Sequence, residues 1–129
     1  MPEFRPASLV QADLDLLKER FSEVKPPMGL REARIEASRC LYCFDAPCVQ
    51  ACPTHIDIPL FIRKIATDNV TGSAVTILES NLLAATCARV CPVEELCEGA
   101  CVMGEHHKPI EIGRLQRYAM DHLFERELQ

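Results

Sequence analysis

The chain has 129 residues, 48% hydrophobic and 26% charged, with a formal net charge of −5, which fits one globular domain with a modest core. Five glycines and 5% aromatic residues are too few for the turns and strands of a sandwich or barrel, and an acidic balance without a basic run excludes a nucleic-acid surface. No apolar run approaches the roughly 20 residues that a bilayer requires, and Met1 to Val10, with Glu3 and Arg5, lacks a signal core, so the chain is expected to stay in the cytoplasm.

Ser8 with Gln11 three positions later forms a capping box, and a first helix is expected to start there. Val10, Leu14, Leu17, Phe21 and Val24 recur at helical spacing and predict one apolar face packed on the rest of the protein. Pro26-Pro27 should stop this helix. Leu30 to Arg39 reads as a second helix, running directly into a first cysteine group, Cys40 to Cys52. Asp57 and Pro59 mark another helix start, with Ile58, Phe61, Ile62 and Ile65 as its apolar face. A helix over Ser73 to Ser80 is expected to be buried through Val75, Ile77 and Leu78. The second cysteine group, Cys87 to Cys101, precedes a polar loop, Gly104 to Lys108, and a last helix from about Ile110 to Phe124. With no strand pattern, the expected fold class is all-α, its cysteine loops pinned between helices. Residues 1–28 form an N-terminal helix and linker and 30–125 the cysteine-bearing region of one domain. Asn69-Val70-Thr71 matches a glycosylation sequon, a coincidence in a chain that is not secreted.

Eight cysteines in a reducing compartment point to metal rather than disulfides. The first group is Cys40-x2-Cys43-x4-Cys48-x3-Cys52-Pro53, and the second is Cys87-x3-Cys91-Pro92-x4-Cys97-x3-Cys101. Cys48-x3-Cys52-Pro53 and Cys87-x3-Cys91-Pro92 form a weak internal repeat that suggests two similar metal corners. A 4Fe–4S cubane needs four ligands, and in two-cluster ferredoxins the cysteine before proline crosses to the other cluster. By that logic Cys52 should join the second site, with Cys101 the natural candidate to cross back. Each following proline ends a local helix and turns the chain beside the metal, and amides of the preceding loops are expected to point at the sulfurs. Zinc is the alternative, but only one true Cys-x2-Cys pair occurs, and a run of four cysteines with proline is the iron–sulfur pattern.

His55 reads as a surface or hydrogen-bonding residue rather than a ligand, His106 and His107 as solvated loop residues, and His122 falls on the last helix. Neither a G-x-G-x-x-G nor a P-loop occurs, and no catalytic Ser/His/Asp grouping or carboxylate pair stands out. On the last helix Ile112, Leu115, Ala119 and Leu123 share a face that Gln116 interrupts. A Gln buried there must satisfy its amide, ordinarily through backbone groups or water.

The sequences Glu36-Ala37-Ser38-Arg39-Cys40-Leu41-x-Cys43-x-Asp45-Ala46-Pro47-Cys48, Ala51-Cys52-Pro53, Cys87-Ala88-Arg89-Val90-Cys91-Pro92 and Ile112-Gly113-Arg114-Leu115-Gln116 resemble the N-terminal iron–sulfur domain of NAD(P)-dependent dihydropyrimidine dehydrogenases. The resemblance covers roughly residues 30–122. The glutamate synthase small subunit carries a related domain, but with a shorter gap after its second Cys-Pro and an acid where Gln116 stands. The resemblance implies an α-helical ferredoxin fold with two 4Fe–4S clusters. One would be held by Cys40, Cys43, Cys48 and Cys101, in agreement with the crossing argument. The other would take Cys52, Cys91, Cys97 and the amide oxygen of Gln116, leaving Cys87 a spare buried thiol, although simple counting of eight cysteines favours Cys87 as the eighth ligand.

It further implies an electron relay between NAD(P)H-reduced FAD and a partner redox centre where a pyrimidine is reduced, such as an FMN subunit. FAD and NAD(P) are expected only on a following flavin domain or partner subunit. Ending at Gln129, the chain is expected to be an excised domain or separate subunit, without pyrimidine-reducing activity alone. The competing readings are a relay for a glutamate-synthase-like flavin oxidoreductase and a zinc-stabilised interaction module.

Overall fold

The computed structural model describes residues 11–127. Among the described residues the elements are α1 (Gln11–Arg20), α2 (Leu30–Ser38), α3 (Pro47–Ala51), α4 (Ile58–Ala66), α5 (Val70–Ser80), α6 (Ala84–Val90), a short 3-10 helix (Val102–Glu105) and α7 (Ile112–Glu127), with no strand. The expected all-α class is observed. The capping box at Ser8 and the apolar residue Val10 lie outside the described residues.

The core is built where the period of 3.6 is strongest. Helix α4 buries Ile58, Phe61, Ile62 and Ile65, each fully buried aliphatic or aromatic side chain contributing about 1.5–3 kcal/mol. Asp57 caps it by accepting from Leu60 N–H at 3.0 Å, and Pro59 sits in its first turn, as the residue types predict. Helix α5 packs on α4 and α7, α2 packs on α4, and α6 lies along α7. Helix α7 contributes Ile112, Leu115, Ala119 and Met120, all buried. Between α4 and α5 the Ser73 hydroxyl donates to Phe61 O at 2.9 Å, and Lys64 Nζ donates to Thr76 Oγ1 at 2.6 Å. These bonds satisfy polar groups that the packing removes from water.

Several expectations are corrected. Helix α5 starts at Val70, because Asn69 accepts from Gly72 N–H at 2.9 Å and caps it one turn earlier than periodicity suggests. Its buried side runs through Val70, Ser73, Ala74, Thr76 and Ile77, while Val75 is exposed and Leu78 only partly covered. Helix α7 extends to Glu127, and part of the polar loop over 104–108 belongs to the 3-10 helix.

The apolar stripe of the first helix does not pack as expected. Leu17, Phe21 and Val24 are 43%, 81% and 99% exposed. Helix α1 also ends at Arg20 rather than at Pro26-Pro27. The reason lies in α7, which offers this segment arginines instead of an apolar face. Arg117 grips Glu23 through two nitrogens, at 2.8 and 3.1 Å, and donates to Lys25 O at 3.0 Å, while Arg114 donates to Pro26 O at 3.1 Å. Lys25 pairs with Glu94 at 2.7 Å. The linker is therefore held by polar clasps.

The Asn69 cap yields a test. A Cβ on Gly72 would lie 2.5 Å from Asn69 Oδ1, so Gly72→Ala should displace the cap and destabilise the protein by about 1 kcal/mol. In an Asn69→Ala background the obstacle is gone, and the same Gly72→Ala change should stabilise by roughly 0.5–1 kcal/mol through helix propensity. Thermal unfolding of the four proteins checks this reversal of sign.

Candidate metal centres

All eight cysteines are free and partly buried, and several sit where helices begin or end. Cys40 follows the last residue of the α2 cap, Arg39. Cys48 lies in the first turn of α3, and Cys52 is its C-cap, followed by Pro53. Cys91 is the C-cap of α6, followed by Pro92, and Cys101 precedes the 3-10 helix. Both Cys-Pro corners thus end helices, as the prolines predict. The helices α3 and α6 inside the cysteine segments are findings of the structure, since those segments read as loops.

Cys40, Cys43, Cys48 and Cys101 line one cavity, closed on the apolar side by Ile58, Ile62, Ile110 and Ile112. Burial pushes the Cys48 thiol up to about 11, reinforced by Cys101 and Cys40. Burial likewise raises Cys40, and Cys101 and Cys43 add to the effect while Tyr42 N–H opposes it. Cys40 and Cys48, half-buried and close to other thiols of the cavity, ionise readily only beside a cation. Tyr42, between Cys40 and Cys43, has φ 52°, a left-handed conformation uncommon outside glycine. Its hydroxyl donates to Ala37 O at 3.2 Å.

Cys52, Cys91 and Cys97 form a second association. Burial pushes Cys97 up to about 12, with Glu98 and then Cys52 adding repulsion. Burial also raises Cys91, followed by the charges of Cys87 and Cys52. Cys52 runs the other way. Burial alone would raise it, but the Thr54 hydroxyl and the amides of Ile56, Thr54 and His55 outweigh that and hold the thiol below its ordinary value. His55 has φ 51°, and such turns gather successive N–H groups around an anion. These amides belong to the turn after the cysteine, not to the preceding loop as expected. The His55 side chain is exposed.

Gln116 is 8% exposed, and its Nε2 donates to Ala84 O at 2.8 Å, at the start of the helix that carries Cys87 and ends at Cys91. Its described partner is thus that carbonyl. Cys87 is partly exposed rather than buried. It accepts a hydrogen bond from Asn81 Nδ2 at 3.3 Å, and its charge adds to the raised Cys91 thiol. Among the described residues no three Cys, His, Asp or Glu side chains are arranged to hold a single metal ion. A cage of four irons takes its thiolates at separate corners, farther apart than one ion does, and four thiols around one apolar cavity fit it.

The two cysteine segments are pinned by carboxylates that sequence reasoning missed. Glu36 Oε1 accepts from Glu111 N–H at 2.9 Å and from Arg39 Nη1 at 2.7 Å, and Arg39 Nη2 donates to Lys108 O at 2.5 Å. Glu98 Oε1 accepts from Gly113 N–H at 2.9 Å. Glu36 and Arg39 stand beside Cys40, and Glu98 beside Cys97. Their proximity to cysteines was visible in the sequence, but their partners lie far along the chain. Among the described residues no helix is long and apolar enough to cross a membrane.

Gly99 supplies a sharp test of the Cys97–Cys101 loop. A Cβ there would lie 2.2 Å from Glu94 O, a backbone atom that cannot swing away. Gly99→Ala should therefore displace the loop and cut iron incorporation severalfold, whereas Gly104→Ala, whose Cβ meets nothing closer than 3.8 Å, should leave it unchanged. Iron analysis of anaerobically prepared proteins measures both.

The model of a family described as dihydropyrimidine dehydrogenase domain II, 4Fe-4S cluster, matches residues 17–128. The chain is 54% identical over 101 residues to the NAD-dependent dihydropyrimidine dehydrogenase subunit PreT of Escherichia coli (strain K12), covering 78% of this chain and 24% of that protein. It is 56% identical over 86 residues to the PreT homolog of Salmonella typhi, covering 67% of this chain and 21% of the relative. The chain thus spans about a quarter of the length of these relatives. The paired Cys-Pro corners, the thiol-lined cavity and these matches agree, and the chain belongs to the 4Fe–4S domain II family of dihydropyrimidine dehydrogenases.

Proposed function

We propose that this chain binds two 4Fe–4S clusters and relays electrons between an NAD(P)H-reduced FAD, carried on a following domain or partner subunit, and a second redox centre where a pyrimidine is reduced. The observation that carries the reading is the convergence of Cys40, Cys43 and Cys48 with the distant Cys101 on one cavity, the crossing that two-cluster ferredoxins use. Each cluster, when bound, takes up and releases one electron. The protein's part is to hold the thiolates, exclude water and set the surrounding charge. The other named cofactors and partners, FAD, NAD(P) and an FMN-bearing pyrimidine-reducing subunit, rest on the likeness to PreT-type dehydrogenase subunits. On this reading the domain alone should show no pyrimidine-reducing activity.

The first ligand set is Cys40, Cys43, Cys48 and Cys101. The second is Cys52, Cys91, Cys97 and Gln116. Counting favours Cys87 as the eighth ligand, whereas the likeness to the dihydropyrimidine dehydrogenase family favours Gln116. Gln116, with Nε2 committed to Ala84 O, can present only its oxygen to a metal. A neutral oxygen in place of a thiolate makes the cluster less negative and separates its potential from that of its neighbour.

About eight irons and eight sulfides per chain are expected in anaerobic preparations; one cubane, or zinc in its place, contradicts the reading. Cys87→Ser should keep both clusters with nearly unchanged electron paramagnetic resonance spectra. Gln116→Ala should perturb or abolish only the cluster of Cys52, Cys91 and Cys97. The opposite pattern would place the fourth ligand at Cys87.

A further inference from the structure

Arg63 stands apart from the other arginines near the core. Arg34, Arg39, Arg89, Arg114 and Arg117 each pair with a carboxylate. Arg63 has no ion pair among the described residues. Its guanidinium instead lies over the ring of Tyr42, 4.9 Å from the centroid. Tyr42 is the residue immediately before Cys43, and Arg63 immediately follows Ile62, which lines the thiol cavity. Arg63 and Cys43 also line one open depression, together with His55, Asp45 and Asp57. Neither aspartate is within ion-pair distance of Arg63.

We propose that Arg63, stacked on Tyr42 without a neutralising carboxylate, raises the reduction potential of the cluster held by Cys40, Cys43, Cys48 and Cys101. The inference rests on that ligand set. Reduction adds one electron to a cage and four thiolates that are already anionic, so a fixed cation nearby stabilises the reduced form more than the oxidised one. Arg63 and Cys43 line the same depression, and the ring beneath the guanidinium belongs to Tyr42, between Cys40 and Cys43, so the charge lies beside the ligand loop. The stacking matters because an exposed arginine otherwise samples many rotamers, and a ring face holds the planar cation in one place. The Tyr42 hydroxyl bond to Ala37 O anchors the ring in turn. Being exposed to solvent, the cation should act with a strength that salt reduces. Arg63 is thus a positioning residue, acting through charge without touching the sulfurs.

The test is a dithionite titration of the anaerobically reconstituted full chain, followed by electron paramagnetic resonance. The step lost in Cys43→Ser identifies this cluster. Arg63→Gln should move that step to more negative potential and leave the other step unchanged. Arg63→Lys should restore most of the difference, and raising the potassium chloride concentration should shrink it. An unmoved step in Arg63→Gln, with both clusters present, overturns the proposal. Equal shifts in Arg63→Gln and Arg63→Lys also overturn it, since they indicate packing rather than charge. If Cys43→Ser removes no step seen in the unsubstituted protein, the ligand set itself is overturned, and the proposal with it.

Discussion

The N-terminus of α7 is the point on which the two cysteine segments depend. A helix begins with backbone N–H groups that have no partner inside the helix and carry a partial positive charge. Here two carboxylates from elsewhere supply acceptors. Glu36, at the end of α2, takes the Glu111 N–H, and Glu98, in the Cys97–Cys101 loop, takes the Gly113 N–H. One bond therefore fixes the segment leading into Cys40, and the other fixes the loop that carries Cys97. Burial holds the Glu98 carboxyl above its usual range even as Gly113 N–H opposes that shift, so this anchor sits in a partly dry setting where a lost hydrogen bond is costly. Arg39 adds a strut from the same side of α2 to Lys108 O. With these bonds made, Cys101 is delivered to the cavity of Cys40, Cys43 and Cys48, although nothing local in the sequence brings it there.

Legibility followed the length scale of the cause. Helices α4 and α7 were readable because each repeats its apolar residues over two or more turns, α4 also carries Asp57 and Pro59 at the positions a start requires, and α2 was readable from its Ala, Glu and Arg. Helices α3 and α6 were not, since five and seven residues rich in Ala and Cys are too short for a period to show. The early start of α5 depended on Asn69, which the sequence offered only as part of a sequon. The stripe of α1 failed for a different reason. Periodicity reports a face, not its neighbour, and α7 meets this segment with Arg114 and Arg117. Spacing suggested the crossing of Cys52 and Cys101, but the Glu36 and Glu98 anchors and the stack of Arg63 on Tyr42 join residues that only the fold brings together.

On the proposed ligand sets, the chain between the clusters is short and duplicated. Cys48 in the first turn of α3 and Cys52 at its C-cap serve one cluster each, and Cys97 and Cys101 stand in the same relation across a turn. The charge of Cys48 adds to the raised Cys97 thiol, which sets ligands of the two proposed sites near one another. Two such sites with identical surroundings would share an electron evenly and have no preferred direction. The surroundings here differ. Cys52 sits among amides that stabilise negative charge, and its proposed set replaces one thiolate by Gln116, whereas the Cys40 set is ringed by isoleucines and faces one unpaired arginine.

Three of those differences push the two potentials apart, and Arg63 alone limits how far apart they lie. Amide donors and a neutral fourth ligand both favour the reduced form of the Cys52 site. An apolar wall disfavours added charge at the Cys40 site, and an exposed cation partly offsets that cost under a screen of solvent and salt. A relay works best when neither station traps the electron, so offsetting terms serve it better than one strong bias. The same reasoning explains why Arg63 is held by a ring rather than by a carboxylate. An ion pair would fix its position equally well, but would cancel the charge that the neighbouring cage needs.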